Sequence, residues 1–191
     1  MPSVDHRDVD RAVAESLRVL GPLASRDWRV RAGPLEWSCL RTAAHIAHDL
    51  LAYAGQVTGR PDDAYLPFDL VVPPDASPRD LLRVVAACGG LLGSAVAAAG
   101  PDVRAWHYGP CDPAGFAAMG VAETLLHTHD ITRGLDVPRF PPEPLCAKVL
   151  GRLFPDAPPG DPAPVLLWCT GRAGLDGRPR RTSWTWDAAL A

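Results

Sequence analysis

Residues 113–134, PAGFAAMGVAETLLHTHDITRG, decide the fold. Asp112-Pro113 places a capping carboxylate and a first-turn proline ahead of the stretch, and Gly134 stands where a helix stops. Apolar residues fall on every side of this helix: Phe116, Met119 and Leu126 along one stripe, Val121 and Leu125 opposite. A helix that is apolar nearly all round is a buried one, so the segment predicts the central helix of a helical protein. On that background stand Glu123, His127 and Asp130. At 100° per residue, Glu123 and His127 lie about 40° apart and Asp130 about 20° to the other side of Glu123, so the three share one stripe.

Three more segments carry helical spacing. Over 5–20, Val9, Val13, Leu17 and Leu20 oppose Asp8, Arg11, Glu15 and Arg18, with Gly21 as a stop. The second helix, 38–57, opens on Ser38 and ends before Gly59-Arg60-Pro61. The third, 78–99, opens on Ser77-Pro78-Arg79-Asp80 and ends at Gly100-Pro101. Four helices of this length fit one antiparallel four-helix bundle over 5–135. A short helix is expected over 143–154 and a Pro-rich linker, PDAPPGDPAP, over 155–164. VLLWCT, a Gly/Arg-rich turn and TSWTW read as a β-hairpin over 165–187. Two strands alone are marginal, so Trp168, Trp184 and Trp186 are expected to bury the hairpin on the bundle. The expectation is a mainly α, single-domain chain over 1–191.

Composition agrees with a globular chain and excludes other classes. Of 191 residues 47% are apolar and 21% charged, which is neither a disordered nor a fibrous balance. A net charge of −3 with no basic run argues against phosphate-driven nucleic-acid binding. Lys148 is the single lysine beside 18 arginines, as GC-rich codon usage produces. Cys39, Cys88, Cys111, Cys146 and Cys169 are odd in number and widely spaced, without a CxxC pair. They read as free buried thiols of a reducing compartment, not as a disulfide framework. MPSVDHRDVDRAV shows no apolar signal core, and LLGSAVAAAG is too short to span a bilayer. A cytoplasmic protein with no membrane or nucleic-acid partner is expected.

The Glu-x3-His spacing in the central helix is the feature that could carry chemistry. With six histidines and four glutamates, a Glu four positions before a His arises by chance only about 0.13 times in this chain. A carboxylate and an imidazole at i, i+4, joined by an imidazole from a facing helix, give three metal ligands and an open position, the catalytic pattern for zinc. The second helix supplies imidazoles in Thr42-Ala-Ala-His45-Ile-Ala-His48-Asp49, on a face shared with Ser38, Arg41 and Gln56. Two readings fit. That histidine face can be the solvent face, since Leu40, Ala43, Ala47, Leu50, Ala54 and Val57 make an apolar face of their own. A buried Glu-His-Asp stripe needs partners, which a metal or an internal hydrogen-bond network can supply.

The residues also carry a resemblance. WSCLRTAAHIAHDL (37–50), YGPCDPAGFAAMGVAETLLHTHDITRGL (108–135) and the tail LLWCTGRAGLDGRPRRTSWTWD (166–187) resemble the DinB-like family of mycothiol-dependent maleylpyruvate isomerases. The resemblance spans about 5–186, most specifically in Trp-Ser-x6-His and Glu-x3-His-x2-Asp. It implies a DinB-like four-helix bundle binding a divalent metal, zinc first, with nickel or iron as alternatives. By position the implied ligands are His45, Glu123 and His127, with Asp130 supporting them or positioning a thiol. The implied cofactor is mycothiol, the thiol that actinobacteria use in place of glutathione. Bound to a dication, a thiol loses its proton at neutral pH and becomes nucleophilic. Addition to an electron-poor double bond then leads to isomerisation or to thiol transfer.

The family's isomerase resembles a bundle followed by a separate α/β domain that helps hold the acidic substrate. Here about 57 residues follow the central helix. A shorter thiol S-transferase, or a member acting on another small electrophile, is therefore the expected type. A binding bundle without turnover and a metal hydrolase are the alternatives; the hydrolase lacks an obvious base beyond Asp130. His48 and His129 are alternative ligands but are assigned surface or supporting roles first, and His48 and His107 are also candidates for binding thiol or substrate. His107, just ahead of the central helix, is placed at the pocket mouth or in loop packing. Arg41 and Arg133 are candidates for holding a carboxylate of thiol or substrate. The expected partners are a small electrophile and a low-molecular-weight thiol, with a homodimer left open.

Overall fold

The computed structural model describes residues 3–190 and contains, among them, six α-helices and one two-stranded ladder. Four long helices form the bundle: α1 (His6–Leu20), α2 (Cys39–Gly59), α3 (Pro78–Ala98) and α4 (Pro113–Gly134). Their packing runs cyclically as α1–α3–α2–α4, so α2 and α4 are neighbours. Each start is chemically marked. The Asp5 side chain accepts from Arg7 and Asp8 backbone N–H groups, and Asp8 returns the contact in a capping box. Ser38, Ser77 and Asp112 cap α2, α3 and α4 by accepting from the backbone N–H groups of Arg41, Asp80 and Gly115.

The bundle closes through one apolar core in which Val9, Ile46, Leu50, Leu92, Phe116, Met119 and Ile131 are fully buried. As its sequence predicts, α4 is buried nearly all round. Where it crosses α2 and α3, residue 120 is Gly; a Cβ there would stand 2.5 Å from Leu92 Cδ2 and 3.3 Å from Leu50 Cδ2. The buried Asp8 carboxylate at the start of α1 receives Lys148 Nζ at 2.6 Å from α5 (Glu143–Leu153), which packs on α4.

Gln56, also buried, ties the α2–α3 connection down. Its Nε2 donates to Ala64 O at 3.2 Å and Trp106 O at 2.8 Å, and its Oε1 accepts from Leu66 N at 3.0 Å. The two-stranded ladder lies between α3 and α4, pairing β1 (Ala105–Trp106) antiparallel with β2 (Pro110–Cys111) through a turn at Tyr108-Gly109.

The hairpin expected over 165–187 is not formed. Its first half is α6 (Pro162–Cys169), packed on α5, so the last three residues of the expected 155–164 linker are already helical. VLLWCT is apolar at nearly every position and carries neither a helical nor a strand period. The prolines at 162 and 164 sit in the first turn, where a missing N–H costs nothing. Beyond α6 the chain is irregular, with one isolated bridge between Leu175 and Arg178. This segment is held by Arg152, whose Nη2 donates to Ala188 O at 2.7 Å and Asp112 Oδ1 at 3.0 Å. Trp184 and Trp186 pack half-buried against the core, their rings 5.5 Å apart.

The apolar stretch of α3 is longer than the sequence reading takes it to be. It extends back beyond LLGSAVAAAG, and α3 reaches a mean hydropathy of 1.8, a value that a membrane span and the core helix of a bundle share. In the fold α3 packs along α1 and α2. All five cysteines are free and buried.

Candidate metal centre

The α2–α4 interface brings His45, Glu123 and His127 together. One ligand atom from each lies within 4.8 Å of the others. His127 Nε2 is 3.0 Å from Glu123 Oε2, and His45 Nε2 is 3.9 Å from the same oxygen. The imidazoles meet edge to face, their centroids 5.0 Å apart. His45 therefore faces α4, while His48 and Arg41 on the same side of α2 remain partly or fully exposed.

Hydrogen bonding fixes which atoms are offered. Asp130, fully buried, accepts from His127 Nδ1 at 3.1 Å, which leaves Nε2 directed at Glu123. A carboxylate behind a ligating imidazole is the usual support for its orientation and tautomer. Asp130 is itself clamped by Arg172, which donates through Nε to both oxygens at 3.1 Å and through Nη2 to Oδ2 at 2.7 Å. On the other side, His45 Nε2 is 3.2 Å from Asp49 Oδ2. The Trp37 ring packs edge-on against His45, with centroids 4.8 Å apart.

The electrostatics follow from burial and these contacts. Burial works against a charged His127, but its hydrogen bonds to Asp130 and Glu123 prevail and raise it to about 9. Burial would also raise Glu123 and Asp130, yet both are held below the usual carboxylate range, Glu123 by His127, and Asp130 by His127 and Arg172. His45 is lowered to about 4, chiefly by burial, so it is a neutral imidazole with a free lone pair. Burial, with the Glu123 charge, lifts Asp49 to about 7.

These residues fit a divalent metal. Ligands about 2.0–2.1 Å from a tetrahedral ion stand roughly 3.3 Å from one another, and the 3.0 and 3.9 Å separations straddle that value. Two imidazoles and one carboxylate form a donor set suited to zinc, iron or nickel.

The three residues form the floor of a cavity of about 800 Å³. Trp37 and Leu126 flank it, and Thr170, Arg172, Arg180, Arg181 and Trp184 of the C-terminal segment build its far wall. A cavity this size accommodates a drug-sized ligand.

The remaining predicted residues lie elsewhere. Asp130 does not line the cavity; it sits behind His127. Arg41 is exposed and stacks over Trp37, 4.8 Å from the ring centroid. Arg133 is exposed at the end of α4, away from the cavity lining. His48 bridges Asp49 Oδ1 and Asp69 Oδ1, each at 3.1 Å. His107 is not at the pocket mouth. It is buried among Tyr65, whose hydroxyl is 2.5 Å from Nδ1, and Trp186, whose Nε1 donates to Nε2 at 3.4 Å. His129 is buried and not on the surface, its Nδ1 2.6 Å from Arg139 O.

One residue escapes sequence reasoning outright, and two are visible in the sequence without their contacts. Arg172 lies 42 positions from Asp130, and no period links them. Asp49 is visible on the histidine face of α2, but its contact with His45 is not. Trp37 belongs to the Trp-Ser pair ahead of α2, where capping accounts only for the serine.

The family model described as the mycothiol maleylpyruvate isomerase N-terminal domain matches residues 9–132. The chain belongs to this family. The matched segment includes His45, Glu123, His127 and Asp130 and stops before Arg172, so the far wall of the cavity lies outside the family match. No curated protein and no solved structure matches the chain.

Proposed function

We propose that the protein is a metal- and mycothiol-dependent transferase or isomerase acting on a small electrophile. The observation that carries this reading is the convergence of His45, Glu123 and His127 on the floor of an open cavity in a chain of this family. His45 and His127 through Nε2, and Glu123 through Oε2, would hold the ion, zinc first among the candidates. The bound dication supplies the positive charge that makes a thiol a thiolate at neutral pH.

The protein's own residues do the rest. Asp130 keeps the Nδ1 proton of His127 and thereby reserves Nε2 for the site. Glu123 stays ionised because His127 and His45 lie beside it. Trp37 holds the His45 ring against rotation and excludes water from one side. Arg180 and Arg181, across the cavity, offer guanidinium groups to the polar part of thiol or substrate. The same reading puts the protein in the cytoplasm, in keeping with five free thiols, and gives it small-molecule partners in place of nucleic acid or membrane.

Metal analysis of protein purified without an affinity tag tests the proposal. Near-stoichiometric zinc, iron or nickel is expected, and less than about a tenth of an equivalent would overturn it. With metal present, mycothiol consumption with chlorodinitrobenzene or maleyl compounds is expected. Binding of thiol without turnover across such a panel would leave a ligand-binding bundle instead.

A further inference from the structure

Arg172 is the first charged side chain after α6, and it is buried with 8% of its surface exposed. Every donor direction the structure records for it is occupied: Nε and Nη2 on Asp130, and Nη1 on Thr170 O at 3.2 Å. Its backbone N–H is fixed on Leu167 O at 2.7 Å. A bidentate guanidinium–carboxylate pair of this kind is specific in direction as well as strong. The turn that carries it is also the seat of the cavity wall. Gly171 adopts φ 66°, a Cβ there would stand 2.7 Å from Arg181 O, and Arg180 donates through Nε to Gly171 O.

We infer that Arg172 is a positioning residue for the metal ligand His127, and that through it docking of the C-terminal segment 172–184 and occupation of the ion site reinforce each other. This rests on the metal-binding reading above. Without Arg172, the fully buried Asp130 loses its counter-charge and must find other partners, and it no longer holds the His127 ring in one orientation. An ion that fixes His127 fixes Asp130 and hence Arg172, the turn at Gly171 and the wall built on it. Coupling of this kind is reciprocal, so the docked segment strengthens ion binding by the factor by which the ion strengthens docking.

The test uses the full chain. Zinc affinity is measured by chelator competition for the wild type, Arg172→Ala and Arg172→Lys, with circular dichroism confirming helix content. In parallel, wild-type protein is digested briefly with trypsin, with EDTA or with saturating zinc, against an unstructured control peptide. Expected are a 10–100-fold weaker affinity for Arg172→Ala, partial recovery in Arg172→Lys, and at least about fivefold slower cleavage after Arg180 and Arg181 with zinc. Equal zinc affinity in wild type and variants, or equal cleavage with and without zinc, overturns this inference and leaves the metal site standing. A wild type that binds no zinc overturns both. If Arg172→Ala does not fold, the lysine variant and the wild-type digest decide.

Discussion

His45 and His127 face each other across the α2–α4 interface, ring planes 74° apart and centroids 5.0 Å apart. They belong to different helices and lie 82 positions apart in sequence, so the site exists only when α2 and α4 are docked in register. Loss of either ring removes one of three ligands. We expect His127→Ala to weaken zinc binding more than about 100-fold, beyond the 10–100-fold typical for losing a supporting partner. Arg133→Ala, off the cavity, should stay within about twofold of wild type. Competition with a colorimetric chelator measures both, and a His127→Ala protein of unchanged affinity would remove His127 from the ligand set.

Ion binding should depend on pH through His127. In the metal-free protein this imidazole keeps its proton up to about 9, so below that value an ion must displace one proton from Nε2. Affinity therefore rises about tenfold per pH unit from 6.5 towards 9 and then levels. His45, at about 4, is already neutral and adds no slope there. Titration calorimetry in buffers of differing ionisation enthalpy counts the proton released; a count near zero at pH 7.5 contradicts the geometry.

The metal-free protein should become less stable as pH rises from 6.5 to 8.5. His127 binds its proton more tightly folded than unfolded, so its contribution is complete below 6.5 and is lost as pH climbs through about 9. Asp49, raised from 3.8 to about 7, has the same sign between those values. His45, lowered, has the opposite sign between about 4 and 6.5, which masks the trend at lower pH. Urea midpoints of EDTA-treated protein at pH 6.5 and 8.5 check this, and His127→Gln should flatten the decline.

Gly134→Ala should cost about 1–3 kcal/mol. Its Cβ would run into the backbone oxygen of Arg31 and approach Cys39 Sγ at 2.9 Å, pushing the end of α4 off the loop that leads into α2. A urea midpoint equal to that of the wild type would show that the loop gives way freely.

Much of this architecture was legible along the chain. Ser38, Ser77 and Asp112 announced three helix starts, and the apolar girth of α4 announced its burial. The Glu123–His127 pair was legible because helical spacing puts both on one stripe. What escaped was long-range or aperiodic. Nothing local ties Arg172 to Asp130, since their pairing depends on how α5 packs on α4 and α6 on α5. VLLWCT reads equally as strand or helix because a nearly wholly apolar run reports burial without reporting a period. His107 and His129 looked available because a histidine's exposure depends on neighbours, here Tyr65 with Trp186 and the Arg139 carbonyl, that loops bring in.

The single lysine has an experimental use. Apart from the α-amino group, Lys148 is the one primary amine this chain offers, and it is held 2.6 Å from the buried Asp8. Its side chain is 22% exposed, so what slows an acylating reagent there is the ion pair with Asp8 of α1, not burial of the amine. The rate of single-site labelling thus reads out how often that one ion pair between α5 and α1 is released, without any engineered probe.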